Sequence, residues 1–221
     1  MRGLHRAKCP VEIIRNALFF YWYDISRIRS GDCSMGKLVY VTPMSLNGCI
    51  SDGTGDFEWA APDEQVHALI NEILRPIGTY LYGRKMYQTM AVWETPDVIP
   101  GLTPAMLDFA TIWQAADKIV YSKSLETVST RKTRIEREFD LQAIRGLKSQ
   151  RPHDISVGGP TLAAPAIRAG LVDEYHLLVA PVLLGGGKPV LPGNVRFTLE
   201  LQEERGFDQG MVYLRYRAKS T

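Results

Sequence analysis

Three short segments carry the residue types that an anionic ligand needs. Gly83-Arg84-Lys85-Met86-Tyr87 places two cations directly after a glycine turn. A turn that opens a helix there leaves backbone N–H groups unpaired, and these favour phosphate together with the cations. Val157-Gly158-Gly159-Pro160-Thr161 passes from an apolar stretch through two glycines into a proline-led segment. Residues without a Cβ let a backbone approach a ligand closely, and the N-terminus of the following helix then faces the anion. Ser122-Lys123-Ser124 offers two hydroxyls and one ammonium, a set that could hold a monophosphate. Taken alone, the first also reads as a glycine-capped turn with two solvated cations, the Ser122 segment as an ordinary polar turn, and the Val157 segment as a plain tight turn. Three of them at the ends of strands in one sheet are far more specific, because ligands of open α/β sheets sit outside the carboxyl ends of the strands.

Other nucleotide and metal chemistries fit poorly. No G-x-G-x-x-G stands after a strand, and the Gly-Lys pair in Gly185-Gly186-Gly187-Lys188-Pro189 lacks the Ser/Thr and glycine spacing of a phosphate-binding loop. The cysteines Cys9, Cys33 and Cys49 form no C-x-x-C, and no Cys/His spacing suits zinc, so no metal is expected. An odd, unpatterned cysteine count suits a reducing cytoplasm. The formal net charge of +2, from 26 basic and 24 acidic residues, gives no reason to expect nucleic acid or membrane as a partner. No apolar run reaches the roughly 20 residues of a transmembrane helix. The composition, 45% hydrophobic and 23% charged, is that of a globular chain with a sizeable core.

Residues 37–42 are rich in β-branched and aromatic residues and read as a strand that Pro43 ends. Residues 51–56 are turn chemistry. Residues 63–74 show apolar positions at helical spacing (Val66, Leu69, Ile70, Ile73, Leu74), with Asp63 and Glu64 at the positive end of the helix. Strands follow at 79–82, 118–122, 133–138, 155–157 and 174–180. Helices are expected from near Arg84, at 103–116, at 140–149 and at 162–169, with Pro165 in the first turn of the last or kinking it. Residues 197–203 and 211–217 make a hairpin about 206–210. Strands alternating with helices imply an α/β fold with a mostly parallel sheet, and the closing hairpin makes it mixed. Residues 1–35 read as an N-terminal extension: an upstream addition, a short amphipathic helix on the domain, or a surface anchor. Residues 36–221 read as one domain.

Taken together these segments resemble the dihydrofolate-reductase-like superfamily, in the branch related to the C-terminal reductase domain of bacterial riboflavin biosynthesis. The carrying residues are Met44-Ser45-Leu46-Asn47-Gly48, Gly83-Arg84-Lys85-Met86-Tyr87, Val157-Gly158-Gly159-Pro160-Thr161, Gly170-Leu171-Val172-Asp173-Glu174, and the run from Ala180 to Gly187. The resemblance implies NADPH as cofactor. It implies that Gly83, Arg84, Lys85 and Met86 contact the phosphates and that Ser122 and Lys123 lie near the adenosine 2′-phosphate. Gly158, Gly159, Pro160, Thr161 and Leu162 would line the pyrophosphate and nicotinamide side. Thr42, Pro43, Asn47, Gly48 and Ile50 would border the nicotinamide and the loop after the first strand. That branch commonly has Asp where Asn47 stands, and the acidic residue of folate reductases has no unambiguous counterpart here.

The reaction so implied is hydride transfer to an electron-poor C=N or C=O of a small heterocycle or carbonyl compound, with the cofactor carrying the hard step. Asp52 and Glu58, in the loop before the first helix, are the candidate catalytic carboxylates. Phe57 and Trp59 could stack on a flat substrate, and Leu184 with Gly185 could form the far wall. Lid packing explains the aromatics equally well, as a turn within the sheet explains Leu184 and Gly185. His67 and His176 read as packing residues. Binding of a dinucleotide or pterin-like ligand without turnover remains the alternative. A homodimer through the apolar alternation of the C-terminal hairpin suits either.

Overall fold

The computed structural model describes residues 35–150 and 152–219. The expectation about an N-terminal extension over residues 1–35 therefore lies, but for its last residue, outside the described residues. The elements run β1 (Leu38–Ser45), β2 (Cys49–Ser51), α1 (Glu64–Leu74), β3 (Ile77–Gly83), α2 (Arg84–Met90), α3 (Pro104–Ala115), β4 (Asp117–Tyr121) and β5 (Thr133–Glu136). They continue with α4 (Leu141–Gln150), β6 (Asp154–Gly158), α5 (Pro160–Arg168), β7 (Glu174–Ala180), β8 (Lys188–Pro189), β9 (Leu199–Gly206) and β10 (Val212–Ala218).

One eight-stranded sheet has the order β5-β4-β3-β6-β1-β7-β10-β9. Its first six strands are parallel, and β10 is antiparallel to both β7 and β9. This is the mixed, mostly parallel α/β sheet that the pattern of segments implies. The faces separate by the two-residue period of the strands. Leu38, Tyr40, Leu81, Ile119, Ile155 and Val157 meet Ile144 of α4 and Ala163, Ala166 and Ile167 of α5. Val39, Tyr80, Tyr82 and Val120 meet Leu74 of α1 and Phe109, Ile112 and Trp113 of α3. Both faces of the parallel strands are thus covered, which explains their near-continuous apolar character.

The structure corrects the first strand. β1 does not stop at Pro43 but runs on to Ser45. The Lys37 carbonyl accepts from Ile155 of β6, while the Leu38 carbonyl accepts from Asp173, beside β7. Odd positions of β1 therefore face β6 and even positions face β7. Pairing with β6 ends at Tyr40, whereas pairing with β7 continues to Ser45. Pro43 faces the side without a neighbour, so its missing N–H costs no ladder bond. Two further differences are small. The 162–169 helix begins at Pro160 and accommodates Pro165 inside it. β9 is shifted toward Gly206, because the turn closes between Phe207 and Met211.

Helix α1 is fixed at both ends. Asp63 caps it by accepting from the Val66 N–H at 2.8 Å. Further along, Asn71 donates to the Ala105 carbonyl at 2.8 Å and to Asp108 at 2.9 Å, tying α1 to α3. Glu64 does not cap its own helix; its carboxylate accepts from the Ala105 N–H at 3.4 Å.

At the amino ends of the parallel strands lies a polar cavity of about 280 Å³ lined by Lys37, Glu174, His176, Tyr213 and Arg215 among others. Lys37 pairs with Glu174 at 2.7 Å, and His176 Nε2 lies 3.5 Å from the same carboxylate. The other ring nitrogen of His176 is 2.8 Å from the Tyr213 hydroxyl. The hydrogen bond from His176, followed by Lys37, holds the Glu174 carboxyl at about 2, below its ordinary 4.5. A depressed carboxyl pKa adds stability above the unfolded value and loses it as pH falls toward the folded one. Stability should therefore fall as pH drops from about 4.5 to about 2. Glu174→Gln should cost roughly 2 kcal/mol at neutral pH, the exposed lysine limiting the gain. It should also flatten the dependence of urea-unfolding free energy on pH across that window.

Candidate nucleotide-binding cleft

Strands β3 and β6 are neighbours, and Tyr82 pairs opposite Gly158. Their carboxyl ends therefore leave the sheet side by side. Between them lies a cleft of about 370 Å³ lined by residues 83–86, residues 158–162 and Lys188. Two of the three segments singled out from the sequence are thus brought together on one cavity.

The glycines have specific causes. A Cβ at Gly158 would sit 2.8 Å from the ring carbons of Tyr82, which is itself buried and stacked on Tyr80. Gly159 has φ +85, in the left-handed region that glycine alone adopts without strain. This bend aims the nine-residue helix α5 at the cleft, with Pro160 in its first turn. Its unpaired N–H groups and dipole favour an anion there. On the opposite rim Arg84 and Lys85 are exposed, and their side chains have no hydrogen bond or ion pair among the described residues. A buried Tyr87 anchors their helix by accepting from the Ser129 N–H at 2.9 Å. A two-glycine bend, a helix N-terminus and two cations without a side-chain partner among the described residues fit a dinucleotide pyrophosphate.

The other residues predicted for the site are not on the lining of this cleft. Ser122 ends one strand further out, just past β4. Its hydroxyl oxygen accepts from the Ser124 and Leu125 N–H groups at 3.3 and 3.0 Å, while the Lys123 side chain is exposed without a partner among the described residues. Thr42 is buried near the end of β1, and Pro43 is half-buried beside it. Asn47, Gly48 and Ile50 occupy the following turn and β2, which pairs with β8. The Asn47 amide is engaged with the Leu184 backbone. Gly185 follows it, exposed.

The candidate carboxylates differ from each other. Asp52 is turned into its own loop, where Oδ1 accepts from Thr54 N–H, Thr54 hydroxyl and Asp56 N–H at 2.8, 2.8 and 2.9 Å. The Thr54 hydroxyl, then the Asp56 N–H, hold its carboxyl below the ordinary range. Glu58 is exposed in a short 3-10 turn. Phe57 is 53% exposed, whereas Trp59 is partly buried and donates from its ring nitrogen to the Asp56 carbonyl at 3.2 Å. Lys188 was not expected on the cleft. Its sequence signal is a cation directly after three glycines.

The family model described as the RibD C-terminal domain matches residues 37–213. The chain belongs to the RibD C-terminal domain family. Family and fold are those of reductases. Among curated proteins the chain is 27% identical over 186 residues to the uncharacterized protein YyaP of Bacillus subtilis, covering 81% of this chain and 94% of that one. Among solved structures it resembles a putative riboflavin biosynthesis protein of Shewanella, with a TM-score of 0.66 at 17% identity, covering 84% of this chain and all of that one. It also resembles the dihydrofolate reductase of Enterococcus faecalis complexed with NADP(H), with a TM-score of 0.55 at 13% identity over 84% and 98% of the two chains. These likenesses agree on a dihydrofolate-reductase-like fold. No helix among the described residues is long and apolar enough to cross a membrane, and these residues hold no metal-binding cluster of His, Cys, Asp and Glu.

Proposed function

We propose that this protein is a cytoplasmic NADPH-dependent reductase. Its acceptor would be the C=N or C=O of a small flat molecule, a pteridine or ribosylaminopyrimidine-like heterocycle or a carbonyl compound. The observation that carries the reading is the cleft between β3 and β6, with unpaired Arg84 and Lys85 on one rim and the Gly158-Gly159 bend into α5 on the other. NADPH, when bound, supplies a hydride from C4 of its nicotinamide. The protein's part is to fix the cofactor's phosphates, orient its ring beside the end of β1, and keep water from the reacting atoms. Lys123, without a side-chain partner among the described residues and one strand further out, is a cation available to a 2′-phosphate.

Binding without turnover is the second reading. It is favoured by the Asp52 carboxylate, whose Oδ1 is turned to three donors of its own loop. NADPH consumption against a panel of pteridine, aminopyrimidine, quinone and carbonyl acceptors separates the two.

The C-terminal hairpin supports a homodimer. Val212, Leu214 and Tyr216 of β10 share a face with Leu201 of β9, and Val212 and Leu201 are 39% and 46% exposed. Sedimentation should show a dimer that a Leu201→Glu/Val212→Glu variant converts to monomer; a monomeric wild type contradicts it.

Quenching of Trp59 and Trp93 fluorescence should report NADPH binding in the micromolar range, with NADH much weaker. Arg84→Ala/Lys85→Ala should weaken NADPH by about 10- to 100-fold, as expected for two charge-assisted phosphate contacts. Binding of neither nucleotide contradicts the reductase reading.

A further inference from the structure

The loop after β1 and the loop after β7 are stitched into one body. The Leu46 N–H donates to the Val182 carbonyl at 2.8 Å, and the Val190 N–H donates to the Gly48 carbonyl at 3.0 Å. Between these two bonds sits Asn47. Its Nδ2 donates to the Leu184 carbonyl at 2.8 Å, and its Oδ1 accepts from the Leu184 N–H at 3.1 Å. One side-chain amide thus pairs with both backbone groups of one residue, as a neighbouring strand would. The buried Ser45 hydroxyl fixes the amide's orientation by donating to Oδ1 at 2.9 Å while accepting from the Cys49 N–H at 2.9 Å.

Just beyond Leu184 come three glycines and then Lys188, which lines the nucleotide cleft together with Arg84 and Lys85. Glycines lose the most conformational entropy on ordering, so this run needs anchors on both sides to hold the lysine in place. The far anchor is the pairing of β8 with β2, where Ser51 stands opposite Lys188. There Gly187 passes so close that a Cβ would collide with the Ser51 carbonyl oxygen. The Tyr40 hydroxyl adds a bond to the Val190 carbonyl at 2.9 Å. The near anchor is the Asn47 amide. The Lys188 side chain makes no hydrogen bond or ion pair among the described residues, so its charge is free for a ligand.

We propose that Lys188 is a third cationic contact to the phosphates of the nicotinamide nucleotide, and that Asn47 is the positioning residue that holds it over the cleft. The inference rests on the reductase reading for its ligand. It gives Asn47 a task that an ionised Asp could not perform, because the bond to the Leu184 carbonyl requires a donor.

The test is a double-mutant cycle on NADPH binding with Lys188→Ala, Asn47→Ala and the double variant. Lys188→Ala should weaken binding about tenfold and reduce its salt dependence, whereas Lys188→Arg should retain most of it. Asn47→Ala should weaken binding about three- to tenfold when Lys188 is present and less than about twofold when it is absent, since the residue acts through the lysine. Amide exchange should rise at residues 184–188 in Asn47→Ala, a readout that needs no nucleotide. If that variant does not fold, Asn47→Ser carries the same cycle. Additive effects, an unchanged affinity in Lys188→Ala, or unaltered exchange at 184–188 would overturn this inference while leaving NADPH binding, and so the reductase reading, intact. A wild-type chain that binds neither NADPH nor NADH overturns both.

Discussion

The contact on which the site depends is the one between Gly158 and Tyr82. The two residues lie opposite each other on adjacent strands, and the tyrosine ring occupies the space that any side chain at 158 would need. Because that ring is buried and stacked on Tyr80, while its hydroxyl accepts from Trp113 at 3.2 Å, it has nowhere to move. The β6 backbone therefore passes flat over the ring and turns at Gly159 into α5. This bend sets the helix N-terminus opposite Arg84 and Lys85 and gives the cleft its width. Core packing between α3 and the sheet, far from any solvent, thus decides where the anion-binding groups stand.

Charge is distributed differently at the two ends of the sheet. At the amino end, Lys37 is paired with Glu174, Lys148 with Asp173 at 2.6 Å, and Arg215 with Glu203 at 3.3 Å. These pairs compensate one another and serve stability. At the carboxyl end, Arg84, Lys85, Lys123 and Lys188 have no partner among the described residues. Uncompensated cations around a concave, apolar-walled cleft attract an anionic ligand far more effectively than the same charges dispersed over a surface.

Much of this could be read from residue types and spacing. The α1 pattern with its Asp63 cap, the two-glycine bend and the cations after Gly83 are local signals with local causes, and they lie where periodicity places them. What escaped the sequence depends on partners distant in the chain. β1 runs through Pro43 because β6 has already ended beside it, which only the sheet register reveals. β2 and β8 are two or three residues long and exist only as a pair, so neither carries a periodic signal of its own. Asn47 is 137 residues from its partner Leu184, and Lys188 reaches the cleft through that pairing. Asp52 looks like a free loop acid in sequence, yet its oxygen is occupied by groups two and four residues onward.

The most direct measurement of the central claim is a backbone amide chemical-shift map on addition of NADPH. Binding at the cleft predicts perturbations concentrated at residues 83–86, 158–162 and 188, with the polar cavity around Glu174 and His176 unchanged. Perturbations centred on that cavity, or none at saturating nucleotide, would contradict the account.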